Sequence, residues 1–147
     1  ASGIPMTHRD VTQAVTFITG HGDGELGLNW RALATLNHTL VVYMGIGAAA
    51  AISEKLIENG MASNVPVAVV ANGTTLEQKL VVGKLETLSK LISQSDIVAP
   101  AIIVIGAVVE QSRLEVLRLA NEAGQSKNKM IENDNILNKN KISEVAL

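Results

Sequence analysis

The chain has 147 residues, 47% of them hydrophobic and 18% charged, with a formal net charge of −2 and no cysteine. That composition suits one foldable domain and excludes a disordered chain, a disulfide scaffold and a thiolate metal site. It lacks the basic field that duplex nucleic acid needs, and no apolar run approaches the roughly 20 residues of a membrane-spanning helix, so neither nucleic acid nor a membrane is an expected partner.

The first residues, ASGIPMTHRD, carry neither a charged n-region nor an apolar h-region, so no signal peptide is expected and the protein reads as cytoplasmic. Ala1 running straight into Gly-Ile-Pro reads as a cut through a longer protein, or as the processing of a short leader. Only 2% of residues are aromatic, so the core must come from Val, Ile, Leu and Ala, as in buried sheets flanked by helices.

In chain order, QAVTFIT (13–19) predicts a strand that runs into the glycine-rich loop HGDGELG. LNWRALATL (28–36) predicts a short helix starting near Asn29, with Leu28, Leu33 and Leu36 on its apolar side. TLVVYMG (39–45) is a continuous apolar run stopped by glycine, the pattern of a strand covered on both faces. Residues 47–60, GAAAAISEKLIENG, predict the clearest helix. Ala49, Ile52, Leu56 and Ile57 share one face, and Gly60 supplies the stop. Strands follow at 66–71 and 78–85, a helix at 86–95, a strand from the AIIVIG run after Pro100, and a last short helix around 112–123. From about Asn121 the chain becomes rich in Asn and Lys and reads as a mobile or weakly helical tail.

This alternation predicts an α/β domain with a mixed sheet flanked by helices. The helix between 39–45 and 66–71 permits a parallel crossover, whereas the short link between 66–71 and 78–85 favours antiparallel pairing.

The glycine turn YMGIGAAAA (43–51) is the most chemical-looking local motif. Gly45 and Gly47, with Ala50 as the third small residue, match a dinucleotide fingerprint and would let a ligand approach the backbone. The next strand, however, ends in Ala71 and Asn72 rather than in an acid that could hold ribose hydroxyls. Two alternatives stay open at this point: a nucleotide-like ligand, or glycines that only allow tight strand-to-helix packing.

GIPMTHRD (3–10), VTFITGHG (15–22), LVVYMGI (40–46), LIENGM (56–61), PVAVVANGTT (66–75), VVGKL (81–85) and PAIIVIGAVV (100–109) stand in one order. Together they resemble the C-terminal half of uroporphyrinogen-III C-methyltransferases, enzymes that also form the last module of sirohaem synthases. The resemblance covers about residues 2–110. It implies a two-lobed α/β tetrapyrrole methylase, usually a homodimer, with S-adenosylmethionine in the cleft between its lobes. The activity implied is C-methylation of uroporphyrinogen III to precorrin-2, in sirohaem and cobalamin biosynthesis. No metal is implied.

Within that frame, residues 1–120 would be the C-terminal lobe and 121–147 the tail, with the N-terminal lobe absent. The cofactor contacts implied are Met44, Asn72 and Gly73; taken alone, Met44 is a strand-end core methionine and Asn72-Gly73 a turn. His8 and Arg9 are candidate donors to a carboxylate-rich substrate, or else part of a solvated loop start. His21 with Asp23 lacks a third metal ligand and reads as a polar loop, and His38 as a surface turn residue. No catalytic residue is assigned to this chain, which would be inactive by itself. The sequence departs from the family at Ala71, where Glu generally precedes Asn-Gly-Thr, and at Lys84, Ala107 and the tail. Two readings from other classes remain: a non-catalytic α/β interaction or self-association domain, and a nucleotide-binding module built on Gly45.

Overall fold

A computed structural model describes residues 2–21 and 27–112 of the chain. Asp23, most of the expected 112–123 helix, and the 121–147 tail with its boundary at residue 120 lie outside the described residues.

The elements are β1 (Val15–Thr19), α1 (Trp30–Thr35), β2 (Thr39–Tyr43), α2 (Ala49–Glu58), β3 (Pro66–Ala71), β4 (Lys79–Lys84), α3 (Leu88–Ser93) and β5 (Ala101–Ile105). A 3₁₀ turn, Leu85–Thr87, leads into α3. Five strands form one mixed sheet in the order β1-β2-β5-β3-β4. β1 pairs parallel to β2, and β5 lies antiparallel to both β2 and β3. The β3–β4 pair is antiparallel, as the short link requires. β2 and β3 point the same way across α2, but β5 fills the place between them. The dinucleotide fingerprint therefore lacks its fold, in which the strands flanking the crossover are parallel neighbours.

Alternation along the strands sorts the apolar residues between two faces. On one face Leu40, Val42, Val67, Val69, Ile103 and Ile105 pack with Leu33, Ile52, Leu56, Leu85 and Leu88 from the helical layer. On the other, Ala68, Val70 and Val104 pack with Ile4 from the N-terminal segment and with Val108 and Val109. Residues 108–112 are helical, so the last helix starts earlier than the composition suggested: Gly106 (φ +142°) ends β5, and the apolar pair beyond it turns back onto the sheet.

Local chemistry sets the helix ends. Asn29 caps α1, its Oδ1 accepting from the Ala32 N–H at 3.0 Å. Leu36 is extended (ψ 134°) and 57% exposed, so the apolar side of α1 consists of Leu33 with Leu28 and Trp30 beside it. At the end of α2, Gly60 (φ +107°) lets its own N–H donate to Ile57 O at 3.0 Å and the Met61 N–H donate to Leu56 O at 2.9 Å. That is a Schellman stop, and Met61 packs on the core beside it.

Two buried hydroxyls behave in opposite ways. Ser53 sits on the core face of α2 and donates to Leu85 O at 2.6 Å, tying the helix to the β4–α3 corner. Ser53→Ala is expected to cost about 1 kcal/mol, a fall in Tm of roughly 4–8 °C by calorimetry. Thr39 is fully buried, and among the described residues its Oγ1 has no hydrogen-bond partner. Thr39→Val keeps the shape and removes an unmet polar group, so it should raise stability by about 1 kcal/mol in urea denaturation.

Candidate functional site

A cavity of about 910 Å³ opens where β2 and β3 end and β5 begins. Its floor is a row across three strands on one face of the sheet: Tyr43, then Ile102, then Val70. Ala99, Pro100 and Ala101 extend that apolar surface into the loop before β5, with Ile46 from the turn before α2 on the β2 side. Met44 and Gly47 line it after β2, and Asn72, Gly73 and Thr75 after β3. The structure thus gathers Met44, Asn72 and Gly73 at one place, although they come from two separate strand ends.

The backbone there is unusual. Met44 (φ 52°), Asn72 (φ 48°) and Thr74 (φ 74°) all adopt the left-handed region, sparsely populated by non-glycine residues and strained for a β-branched one. The turn holding them is firmly bonded. Asn72 N–H donates to Pro100 O at 3.0 Å, Thr75 Oγ1 donates to Asn72 O at 2.9 Å, and Thr74 N–H donates to Gln78 Oε1 at 2.9 Å. Met44 is 63% exposed beside the cavity, so it is not the core methionine that its strand-end position alone suggests.

The two glycines of the turn have different jobs. A Cβ on Gly45 would lie 2.7 Å from Val42 Cγ1 and 3.2 Å from Ile103 Cδ1, so Gly45 is required by packing. A Cβ on Gly47 would meet nothing within 4 Å. Tight packing therefore accounts for Gly45 and not for Gly47.

No Asp, Glu, Lys, Arg or His lines the cavity among the described residues; the polar side chains on it are Tyr43, Asn72 and Thr75. Such a surface suits an uncharged, flat apolar group with hydrogen-bonding edges, as a nucleoside presents. Among the described residues no cluster of three His, Cys, Asp or Glu side chains could hold a metal ion.

His8 and Arg9 sit elsewhere. The His8 N–H donates to Thr12 O at 3.0 Å in a tight turn, with Arg9 and Asp10 exposed at its tip. Arg9, Asp10, Thr12, Gln13 and Asn37 line a polar depression of about 350 Å³. It lies where β1 and β2 begin, and five residues of strand at about 3.3 Å each put it roughly 15 Å from the cavity. His38 is structural: its Nδ1 bonds Thr16 Oγ1 at 2.8 Å and its Nε2 bonds Leu33 O at 3.1 Å, joining α1 to β1. The sequence placed His38 in a surface turn and could not reveal these two partners. Tyr43, Ile102 and Pro100 are equally unmarked as cavity walls, since a continuously apolar strand does not announce which end opens onto a ligand.

Residues 1–89, more than half of the chain, match the family model described as tetrapyrrole (corrin/porphyrin) methylases. A siroheme synthase of Enterobacter sp. (strain 638) is 50% identical over 109 residues, covering 74% of this chain and 23% of that protein. The siroheme synthase of Chromobacterium violaceum is 46% identical over 110 residues, with the same coverage of 74% and 23%. The chain thus spans about a quarter of the length of these curated relatives. Among solved structures, uroporphyrin-III C-methyl transferase from Thermus thermophilus, complexed with S-adenosylhomocysteine, is 28% identical with a TM-score of 0.63. The match covers 74% of this chain and 48% of that one. A cobalt precorrin-4 methyltransferase, 21% identical with a TM-score of 0.66 over 73% of this chain and 46% of that one, shares the fold. With its mixed five-stranded sheet, the chain belongs to the tetrapyrrole (corrin/porphyrin) methylases.

Proposed function

We propose that this chain forms one wall of the cofactor site in an S-adenosylmethionine-dependent enzyme that C-methylates uroporphyrinogen III to precorrin-2, on the way to sirohaem and cobalamin. The observation that carries the reading is the cavity that unites Met44, Asn72 and Gly73 in an apolar setting with no charged side chain among the described residues. It fits a nucleoside, and the related structure from Thermus thermophilus holds S-adenosylhomocysteine. In this reading residues 1–120 are the C-terminal lobe of a two-lobed enzyme, and residues 121–147 a tail.

The bound cofactor would supply an electrophilic methyl group on a sulfonium. The chain's own part is binding and alignment. Tyr43, Ile102, Val70 and Pro100 would remove water from the nucleoside, and the left-handed turns at Met44 and Asn72 would bring main chain close to it. His8 and Arg9, set apart from the cavity, would serve the acidic periphery of the substrate.

Homodimer formation and a cytoplasmic location belong to the same reading. Phe17 (59% exposed), Leu80 (38%) and Val82 (40%) leave apolar surface on the sheet face that also carries Tyr43, which suits cover by another lobe or another copy. A non-catalytic self-association domain is the second reading, and the same exposed surface favours it.

Methyl transfer separates the two. The gene product containing this chain, given uroporphyrinogen III and methyl-labelled S-adenosylmethionine, should place label on the tetrapyrrole. Transfer of none, by a folded protein, would leave only the association reading. Calorimetry should also show S-adenosylhomocysteine preferred to NAD, whose fingerprint here lacks its fold.

A further inference from the structure

Glycine normally stands where a fold has no room for a side chain or needs a left-handed backbone. Around the cavity this pattern is reversed. The left-handed positions are Met44, Asn72 and Thr74, none of them glycine. Gly47 meets neither condition: its φ is not left-handed, and a Cβ there would touch nothing within 4 Å. Gly47 lies in the turn just before the Ala48 cap of α2, and glycine at an ordinary φ there leaves the unfolded chain freer than a residue with a side chain would. The space over Gly47 is part of the cavity, which Gly47 lines together with Met44, Ile46 and Gly73.

We infer that Gly47 is a ligand-contact position, left without a side chain because the nucleoside part of the ligand passes over it. The inference rests on the cofactor-wall reading and adds to it a residue that determines what can enter. Gly47 lines the cavity on the β2 side and is exposed, so a side chain there would take up space at the cavity mouth. A methyl group would narrow that mouth and a branched side chain would obstruct it. Because no described residue comes within 4 Å of a Cβ at the position, its substitution is expected to alter binding while sparing stability.

The test titrates S-adenosylhomocysteine by calorimetry into the gene product containing this chain, comparing Gly47→Ala, Gly47→Val and Gly27→Val. Gly27 is the control, since among the described residues a Cβ there also meets nothing within 4 Å, and Gly27 is not among the residues that line the cavity. Gly47→Val should weaken binding on the order of tenfold or more, with a smaller loss for Gly47→Ala. Gly27→Val should bind as the unsubstituted chain does, and all melting temperatures should stay together. Undiminished binding by Gly47→Val would overturn the inference and leave the cofactor wall standing. A loss of stability in both Gly47 variants would overturn it as well, by giving the glycine a packing role. If the unsubstituted gene product shows no binding at saturating ligand, the cofactor-wall reading fails and takes the inference with it.

Discussion

Gly20→Ala should destabilise the domain strongly, although it adds a single methyl group. That methyl would sit 2.5 Å from Gly45 Cα, 3.1 Å from Gly45 N and 3.2 Å from Ile52 Cδ1. Carbon atoms in contact prefer about 3.5–4.0 Å, and two of the three neighbours are backbone atoms that cannot rotate away. The chain cannot yield easily at this point. The Gly20 N–H donates to Tyr43 O at 2.6 Å, which fastens the end of β1 to the end of β2. Gly45 is in turn held under Val42 and Ile103. Relief therefore means parting β1 from β2 or lifting the turn off the core. Overpacking that side chains can absorb costs about 1–3 kcal/mol, so a backbone clash should cost at least about 3 kcal/mol of the roughly 5–15 available. Tm should fall by more than about 12 °C, read by circular dichroism. A Gly20→Ala protein melting alongside the parent would show that the two glycines do not meet as described.

That contact illustrates what could and could not be read from the sequence. The strands β2, β3 and β5 were legible because each is an apolar run buried on both faces, and such runs have few alternatives. The helix α2 was legible because its apolar stripe and its Gly60 stop agree. Strand order was not. Nothing local in AIIVIG says that β5 inserts between β2 and β3, since that choice is decided by which faces the helices and the N-terminal segment can cover. Leu36 was assigned to the apolar side of α1 on periodicity, yet the helix ends before it and leaves it in solvent. Buried Ser53 was missed because its partner, the Leu85 carbonyl, is remote in sequence.

The site divides along the same line. Met44, Asn72 and Gly73 came from family resemblance, and the fold brings them to one cavity. Residue types alone left Met44 in the core and Asn72-Gly73 in a bare turn. The left-handed backbone at Met44, Asn72 and Thr74 had no signature, because such conformations are anticipated only where glycine stands. Ala71, the departure from the family pattern ahead of Asn-Gly-Thr, is 1% exposed and its side chain belongs to the core cluster on the helical face. An acid there would be buried among apolar side chains in this backbone, so the alanine fits the packing that surrounds it.

Gly73→Val should separate binding from stability more sharply than any other change at the site. In the protein without ligand the substitution is tolerated: Gly73 is exposed, its φ is not left-handed, and its Cβ would approach nothing nearer than Val70 Cγ1 at 3.6 Å, an ordinary contact. The hydrogen bonds that hold the turn run from Asn72, Thr74 and Thr75, and none uses Gly73. A branched side chain would nevertheless fill space against which the nucleoside is proposed to lie. Affinity for S-adenosylhomocysteine should fall about a hundredfold, equivalent to about 3 kcal/mol, with a matching loss in kcat/KM for methyl transfer by the gene product. Thr74→Gly should act in the opposite sense. It relieves a left-handed β-branched residue that costs roughly 1–2 kcal/mol, so stability should rise or hold. Any loss of affinity in that variant then reports the loosened turn rather than a blocked cavity. If Gly73→Val melts early, the glycine serves the turn; if it binds as the parent does, the ligand does not lie against it. Opposite responses at neighbouring residues would mean that this loop carries its strain at Thr74 and keeps its room at Gly73.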